Sequence, residues 1–352
     1  IQYPIVHRAV VDWGPILFEA YNPREILVHF SGISVKHPAK KIGEGTYKEI
    51  YNAWLICPKV KRLAYAASRL NGLSPRGDVP CDPMQQVLEN EDFFLNKLDR
   101  YQHPNIVRVF KLFELNNNQQ IIVMKWYKGN LETLLAKVQA GELALSDVKK
   151  MEYALDIVNA VYFLHKLKIA HRDLNPKNIL VGSKRLVVTD FGLACKVEDQ
   201  KNSMNYVGTR EYYPYELLKG TYKGNIFALD IWALGCILWE LFAEEKFPWK
   251  DLLSDEHSFV YRKSQKMMKK FCVAGPYEEN GVIKNLIWKM LHIDPEKRPD
   301  IGTVKSELKN YKASLGVRES YDIKDEFIQW EEKEKRRPRK KKNEFVMYSI
   351  NE

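Results

Sequence analysis

With 352 residues, 45% of them hydrophobic, the chain is long enough to bury a large core and exceeds the usual size of one domain, which excludes disorder throughout and predicts two lobes or a domain with extensions. Its formal net charge of +10 favours acidic partners, although much of the excess sits in one run, Lys335-Arg336-Arg337-Pro338-Arg339-Lys340-Lys341-Lys342. Five cysteines without C-x-x-C spacing argue against a zinc site or a secreted disulfide framework, and no cleavable leader pattern is visible at the start, so an intracellular protein is expected.

Residues 1–36 form an N-terminal extension whose Ile16-Leu17-Phe18 and Ile26-Leu27-Val28 are apolar enough to pack on the strand-rich residues after them. Residues 37–127 are strand-rich with one helix. Near their start lies Gly43-Glu44-Gly45-Thr46-Tyr47, where two residues without a Cβ let a hairpin approach phosphate groups closely. A strand follows at Arg62–Leu70. Pro83 to Leu98 has helical spacing of Val87, Phe94, Leu95 and Leu98, with Glu91 one turn before that core face, and leads into His103-Pro104-Asn105-Ile106-Val107. Ile121–Tyr127 reads as a buried strand that contains Met124.

Residues 128–312 are mostly helical. Met151 to Leu164 has core-helix spacing and runs into His171-Arg172-Asp173-Leu174-Asn175-Pro176-Lys177-Asn178, followed by the strand Leu186-Val187-Val188 and then Thr189-Asp190-Phe191-Gly192. A β-hairpin between the two stretches brings Asp173, Asn178 and Asp190 together. Phosphoryl transfer needs that set, because one carboxylate must orient the attacking hydroxyl while other oxygens hold Mg²⁺ against the triphosphate. Ile226 to Phe242 contains Asp230 and Glu240 and is too short and too polar for a membrane span, so a buried helix is expected. Gly208-Thr209-Arg210-Glu211-Tyr212-Tyr213-Pro214-Tyr215-Glu216 and Asp294-Pro295-Glu296-Lys297-Arg298-Pro299 flank that region. Residues 313–352 make a C-terminal tail, with a short amphipathic helix at Tyr321 to Trp330 ahead of the basic run.

In this order the motifs resemble those of the eukaryotic protein kinases: H-R-D-x-x-x-x-N at 171–178, D-F-G at 190–192, and a variant of G-T-x-x-Y-x-A-P-E at 208–216. The resemblance covers about residues 37–312. It implies an α+β, two-lobed protein-kinase-like fold, with a small β-rich N-lobe over 37–127 and a larger helical C-lobe over 128–312. It implies ATP and Mg²⁺ as cofactors and a protein substrate, phosphorylated on Ser or Thr. Asp173 then orients or deprotonates the hydroxyl, Asn178 and Asp190 bind Mg²⁺, Gly43 and Gly45 cover the phosphates, and Met124 guards the back of the adenine pocket. Thr209 is expected near Asp173, and Glu216 in a buried ion pair with Arg298. Arg172 is expected to bind a phosphorylated residue between the D-F-G and A-P-E positions, with Ser203 the best placed and Tyr206 behind it, or else a standing negative charge from Glu198 or Asp199.

Three departures stand out. No register of Arg62–Leu70 puts a Lys in the family's third-strand slot: the alternatives leave Ala66, Ser68 or Arg69 there. Lys48 replaces the third glycine of the loop, as in the With-No-Lysine kinases, so Lys48 is expected to be the phosphate-binding cation, partnered with Glu91. Asn175 replaces a catalytic Lys, and it is expected to hydrogen-bond a phosphate oxygen without supplying charge, which lowers turnover. The alternative reading is a pseudokinase that acts as a scaffold or allosteric regulator. The run 335–342 is either a solvated tail or a contact for polyanions or an import receptor, consistent with a cytoplasmic or nuclear location.

Overall fold

The structure, a computed structural model, describes residues 16–22, 25–30, 41–44, 48–57, 60–70, 90–91, 93–95, 97–98, 100–115, 119–125, 127, 129–198, 208–220, 222, 225–253, 258–274 and 281–316. They divide into two compact units. One gathers the strand-rich segments up to Tyr127, and the other holds the helices from Leu131 onward together with His103–Ile106. Gly45 and the run 335–342 lie outside the described residues, as do Asp199, Ser203 and Tyr206.

The first unit is one seven-stranded sheet. Its strands are β1 (Ile16–Asn22), β2 (Glu25–Phe30), β3 (Lys41–Glu44), β4 (Lys48–Cys57), β5 (Val60–Leu70), β6 (Val109–Leu115) and β7 (Gln119–Lys125), in the order β2-β1-β4-β5-β7-β6 with β3 on β4. The expected strand-rich region therefore gains two strands from the N-terminal extension. β1 and β2 pair antiparallel, and β1 then runs parallel to β4, with Ile16 opposite Ala53. The reason is an edge: β4 would otherwise leave unpaired backbone groups, and an apolar hairpin satisfies them. Beyond the sheet, Glu91 and Phe94, Leu95 and Leu98 are helical and buried, which rules out a solvated surface position for Glu91.

The second unit is built around α4 (Phe227–Ala243), a helix buried on nearly every side. α2 (Asp147–Lys166) and α7 (Val282–Met290) pack on it, with α8 (Ile301–Ser314) on both of these. Local chemistry sets the starts: Ser146 accepts a hydrogen bond from the Lys149 amide, and Asp300 from the Thr303 amide, satisfying donors that a first turn leaves unpaired. Gly235 lets α4 and α7 approach closely. A Cβ there would meet Leu291 Cδ2 at 2.9 Å. The two acidic residues of α4 are both buried and both partnered, which is what allows them inside an apolar helix. Glu240 accepts from the Tyr212 hydroxyl at 2.9 Å and pairs with Lys250, although burial still pushes its carboxyl above the usual range. No helix among the described residues is long and apolar enough to cross a membrane.

Two small two-stranded sheets complete the unit near the expected catalytic loop. The hairpin β9 (Ile179–Val181) with β10 (Leu186–Val188) pairs Val188 with Ile179, and β8 (Ile169–Ala170) pairs with β11 (Cys195–Lys196). Asn105 clamps the hairpin from His103–Ile106, donating to Leu186 O at 2.9 Å and to Asp156 of α2 at 2.8 Å. Burial raises the Asp156 carboxyl to about 6, against the hydrogen bonds from Leu186 and Asn105.

Candidate active site

Asp230 organises the loop from below. One of its oxygens accepts from the His171 amide at 2.9 Å and faces His165 Nε2 at 2.8 Å, while the other accepts from the Arg172 amide at 2.8 Å. Burial works to raise this carboxyl, but the His165 hydrogen bond, both histidines and the Arg172 amide outweigh it, so the group sits below the usual carboxylate range. Those amide bonds hold Arg172 at φ 68°, a left-handed conformation that costs a non-glycine residue about 1–3 kcal/mol. The chain then turns and delivers Asp173.

Four donors fix the Asp173 carboxylate. Oδ1 accepts from Thr209 Oγ1 at 2.7 Å, the Thr209 amide at 2.8 Å and Asn175 Nδ2 at 3.1 Å; Oδ2 accepts from Asn178 Nδ2 at 2.8 Å. Gly208 makes this approach possible. It sits at φ 106°, where a Cβ would lie 2.6 Å from Arg172 O. Burial, with the negative charge of Asp190 nearby, raises the Asp173 carboxyl above the ordinary range despite the Thr209 hydrogen bonds. A base of raised pKa is better matched to taking a proton near neutral pH.

Asn178 and Asp190 are brought together by the β9–β10 hairpin, as its position between the two motifs leads one to expect. Asn178 precedes β9, Asp190 follows β10, and the Thr189 amide donates to Asn178 O at 3.0 Å. Asp190 itself is left-handed, at φ 69°. The Asn178 amide nitrogen faces only acceptors, Asp173 O at 2.9 Å and Asp173 Oδ2, so its Oδ1 must point elsewhere. That leaves an amide oxygen and a carboxylate at the open end of one hairpin, a donor set suited to a hard cation such as Mg²⁺.

Asn175 corrects an expectation. It is 2% exposed, and its Nδ2 donates to Thr209 Oγ1 at 2.9 Å and to Asp173, while its Oδ1 accepts from the Lys177 amide at 2.9 Å. Every polar atom of the side chain is engaged inside the loop, so it positions Asp173 and has no group to contact a phosphate. Pro176 explains the conformation: it opens a 3₁₀ turn at Pro176–Asn178 whose free amides Asn175 caps. Lys177 does not replace the absent charge, since its Nζ is exposed and 3.8 Å from Glu132 of α1 (Leu131–Gln139).

In the first unit the register settles positions. Lys48 lies opposite Leu70, Ile50 opposite Ser68, and Ala66 opposite both Asn52 and Met124. Strands alternate faces every residue, so positions 48, 66, 68, 70 and 124 share one face of the sheet and position 69 falls on the other. Met124 is buried. Gly43 is the penultimate residue of β3, opposite Ile50; the side chain of Lys48 lies outside the described residues.

Asp230 is the residue whose role the motifs do not announce: in the sequence it stands only as one of two carboxylates in a run expected to form a buried helix. The available signal was a carboxylate in the first turn of a seventeen-residue helix whose one other charged residue is Glu240.

A strand-rich unit followed by a helical one, with an Asp held beside an Asn and a second Asp across a hairpin, defines the class of two-lobed protein-kinase-like α+β proteins. The family model described as protein kinase domain matches residues 37–308, and the chain belongs to the protein kinase family. It is 32% identical over 273 residues to 3-phosphoinositide-dependent protein kinase B of Dictyostelium discoideum, covering 76% of this chain and 27% of that protein. It is 28% identical over 277 residues to the serine/threonine-protein kinase PKH2 of Saccharomyces cerevisiae, covering 75% and 24%. The catalytic subunit of the cAMP-dependent protein kinase of Dictyostelium discoideum is 32% identical over 223 residues, covering 63% and 31%. The chain thus spans about a quarter to a third of the length of these relatives.

Proposed function

We propose that the chain transfers the terminal phosphate of ATP to Ser or Thr hydroxyls of proteins, with Mg²⁺ as cofactor. The observation that carries this reading is the Asp173 carboxylate, held among the described residues by neutral donors from Thr209, Asn175 and Asn178, which leave it a base. In the proposed reaction Asp173 orients the hydroxyl and accepts its proton, Asn175 and Thr209 keep that carboxylate in place, and Asn178 Oδ1 with Asp190 would hold Mg²⁺. The metal would neutralise phosphate charge as the transferred group leaves.

Lys48, in this reading, is the phosphate-binding cation and Glu91 its partner, with Gly43 and Gly45 covering the phosphates and Met124 at the back of the adenine pocket. The strand register supports Lys48: it shares a sheet face with positions 66 and 68, two of the candidates for the lost Lys slot, whereas Arg69 falls on the opposite face. The run 335–342 is proposed to contact a polyanion or an import receptor.

The test is transfer of radiolabelled phosphate from ATP to a generic basic protein. Asp173→Ala is expected to lower the rate by about 10²- to 10⁴-fold, while ATP with Mg²⁺ still raises the melting temperature of both proteins. Transfer unchanged by the substitution would overturn the assignment of Asp173. Nucleotide binding without transfer by the unmodified chain would favour a scaffold.

A further inference from the structure

α6 (Ser258–Ala274) carries Arg262, Lys263, Lys266, Lys269 and Lys270, all exposed, and no acidic residue at any position. At about 100° per residue the five cations fall within an arc of about 120°, opposite Ser264 and Met268, which are fully buried. No carboxylate of the described residues lies within ion-pairing distance of any of them. Other lysines differ: Lys246 pairs with Asp251 at 2.7 Å, Lys149 with Glu152 at 2.9 Å and Lys289 with Glu307 at 3.3 Å. Like charges three and four residues apart, such as 262 with 266 and 266 with 270, repel and weaken a helix. A face that serves only to meet solvent normally interleaves the two signs.

Placement ties this face to the catalytic loop. Gln265 of α6 donates to Leu218 O at 3.1 Å, and Lys269 Nζ lies 5.5 Å from the centre of the Tyr215 ring. Both partners belong to α3 (Tyr215–Lys219), which continues the 208–216 segment whose Thr209 holds Asp173. The segment 208–219 therefore touches Asp173 at its start and α6 at its end, so one stretch of chain links the two.

The neighbouring chemistry selects the partner. Insertion into a membrane surface needs exposed apolar side chains beside the cations, and the exposed large hydrophobics among the described residues (Phe93, Leu143, Val282 and Leu315) lie on other elements. Single-stranded nucleic acid needs open aromatic faces for stacking, and the described aromatic of α6, Phe271, packs against Trp239 and Trp249 at 5.3 and 5.4 Å. We infer that this face of α6 docks an Asp- and Glu-rich segment of the protein substrate, away from the residues around the phosphorylated hydroxyl. The inference rests on the kinase reading and adds to it how the substrate is selected.

Binding of a fluorescein-labelled octaglutamate peptide to the full chain, read by anisotropy at low salt, tests it. The triple variant Lys263→Glu, Lys266→Glu, Lys270→Glu is expected to bind about tenfold more weakly, with the difference shrinking as salt screens exposed charges. The corresponding Lys→Gln variant gives the same result in smaller measure should charge reversal disturb folding. So that the basic run 335–342, itself proposed to contact polyanions, does not mask the loss, its Lys and Arg residues are replaced by Gln in every protein compared. Equal affinities overturn the inference, and so does a single-stranded oligonucleotide of equal charge that binds the same face more tightly than the peptide. In the transfer assay, the variant raises KM about tenfold for a Ser peptide extended by the octaglutamate, leaving kcat and the unextended peptide unchanged. Because peptide binding is also measured on Asp173→Ala protein, failure of the kinase reading appears as absent transfer with binding intact, and failure of the docking face as unaltered binding with transfer intact.

Discussion

Arg298→Ala lowers the free energy of unfolding by about 3–5 kcal/mol. The guanidinium makes two parallel bonds to Glu216, Nη1 to Oε1 and Nη2 to Oε2, each 2.7 Å. It also donates to Ala228 O at 2.9 Å and His292 O at 2.8 Å, and lies 4.9 Å from the Trp232 ring centre. Both charges are buried, Glu216 at 4% and Arg298 at 7% exposure. Truncation leaves a desolvated carboxylate and two carbonyls without their donor, which costs far more than the pair contributes when intact. The exposed pair Lys246–Asp251 has no such penalty, since water replaces either partner. Chemical denaturation of Arg298→Ala, Glu216→Ala and the double variant checks this. The double variant should lose less than the sum of the single losses, because removing both charges leaves neither stranded. A loss under about 1 kcal/mol for either single variant contradicts the account.

Asp230→Ala is expected to damage both stability and catalysis. The His171 and Arg172 amides and His165 Nε2 all lose their acceptor in a fully buried place, a loss of about 3–5 kcal/mol. The left-handed turn at Arg172 then has nothing to hold it, and Asp173 follows it in sequence. A misplacement of about 1 Å costs on the order of 10²-fold in rate. kcat should therefore fall by about that factor at temperatures where the variant is still folded, with KM for ATP little changed. The pH dependence has a definite sign. The Asp230 carboxyl is held below the ordinary value of 3.8, so its contribution to stability is complete above that pH and is lost as pH falls through the lower, folded-state value. Urea unfolding between neutral and strongly acid pH reads this: the gap between the natural chain and Asp230→Ala should close at low pH. A gap that stays constant would contradict the assignment.

Much of the second unit is legible from its sequence because its signals are local. The hairpin between 178 and 190 is announced by two short apolar runs, and bringing Asn178 beside Asp190 needs no other contact. The Glu216–Arg298 pair is legible for a different reason, since both residues stand in motifs whose family pairing is fixed. Asp230 escapes because its partners lie 58 to 65 residues away and nothing nearby in sequence names them. Asn175 was legible in part: Asn before Pro is a capping signature, and that local chemistry, not the family's Lys at this position, decides where its amide points. In the first unit, Ile16-Leu17-Phe18 and Ile26-Leu27-Val28 read as apolar segments, but the parallel pairing of β1 with β4 depends on a strand about 35 residues further on. No short-range pattern encodes it. The cationic face of α6 is present in the sequence as charges at helical spacing, where it is indistinguishable from a solvated surface until burial on the opposite side is known.

The relocated phosphate cation is the claim on which the enzymatic account turns. Its most direct measurement is radiolabel transfer from ATP by Lys48→Met and Arg69→Met, assayed beside the unmodified chain under the same Mg²⁺ concentration. The account predicts that Lys48→Met loses about 10²- to 10³-fold in kcat, as expected when a group that stabilises developing charge is removed, while Arg69→Met stays within about twofold. Loss of transfer in Arg69→Met with Lys48→Met unaffected would contradict it.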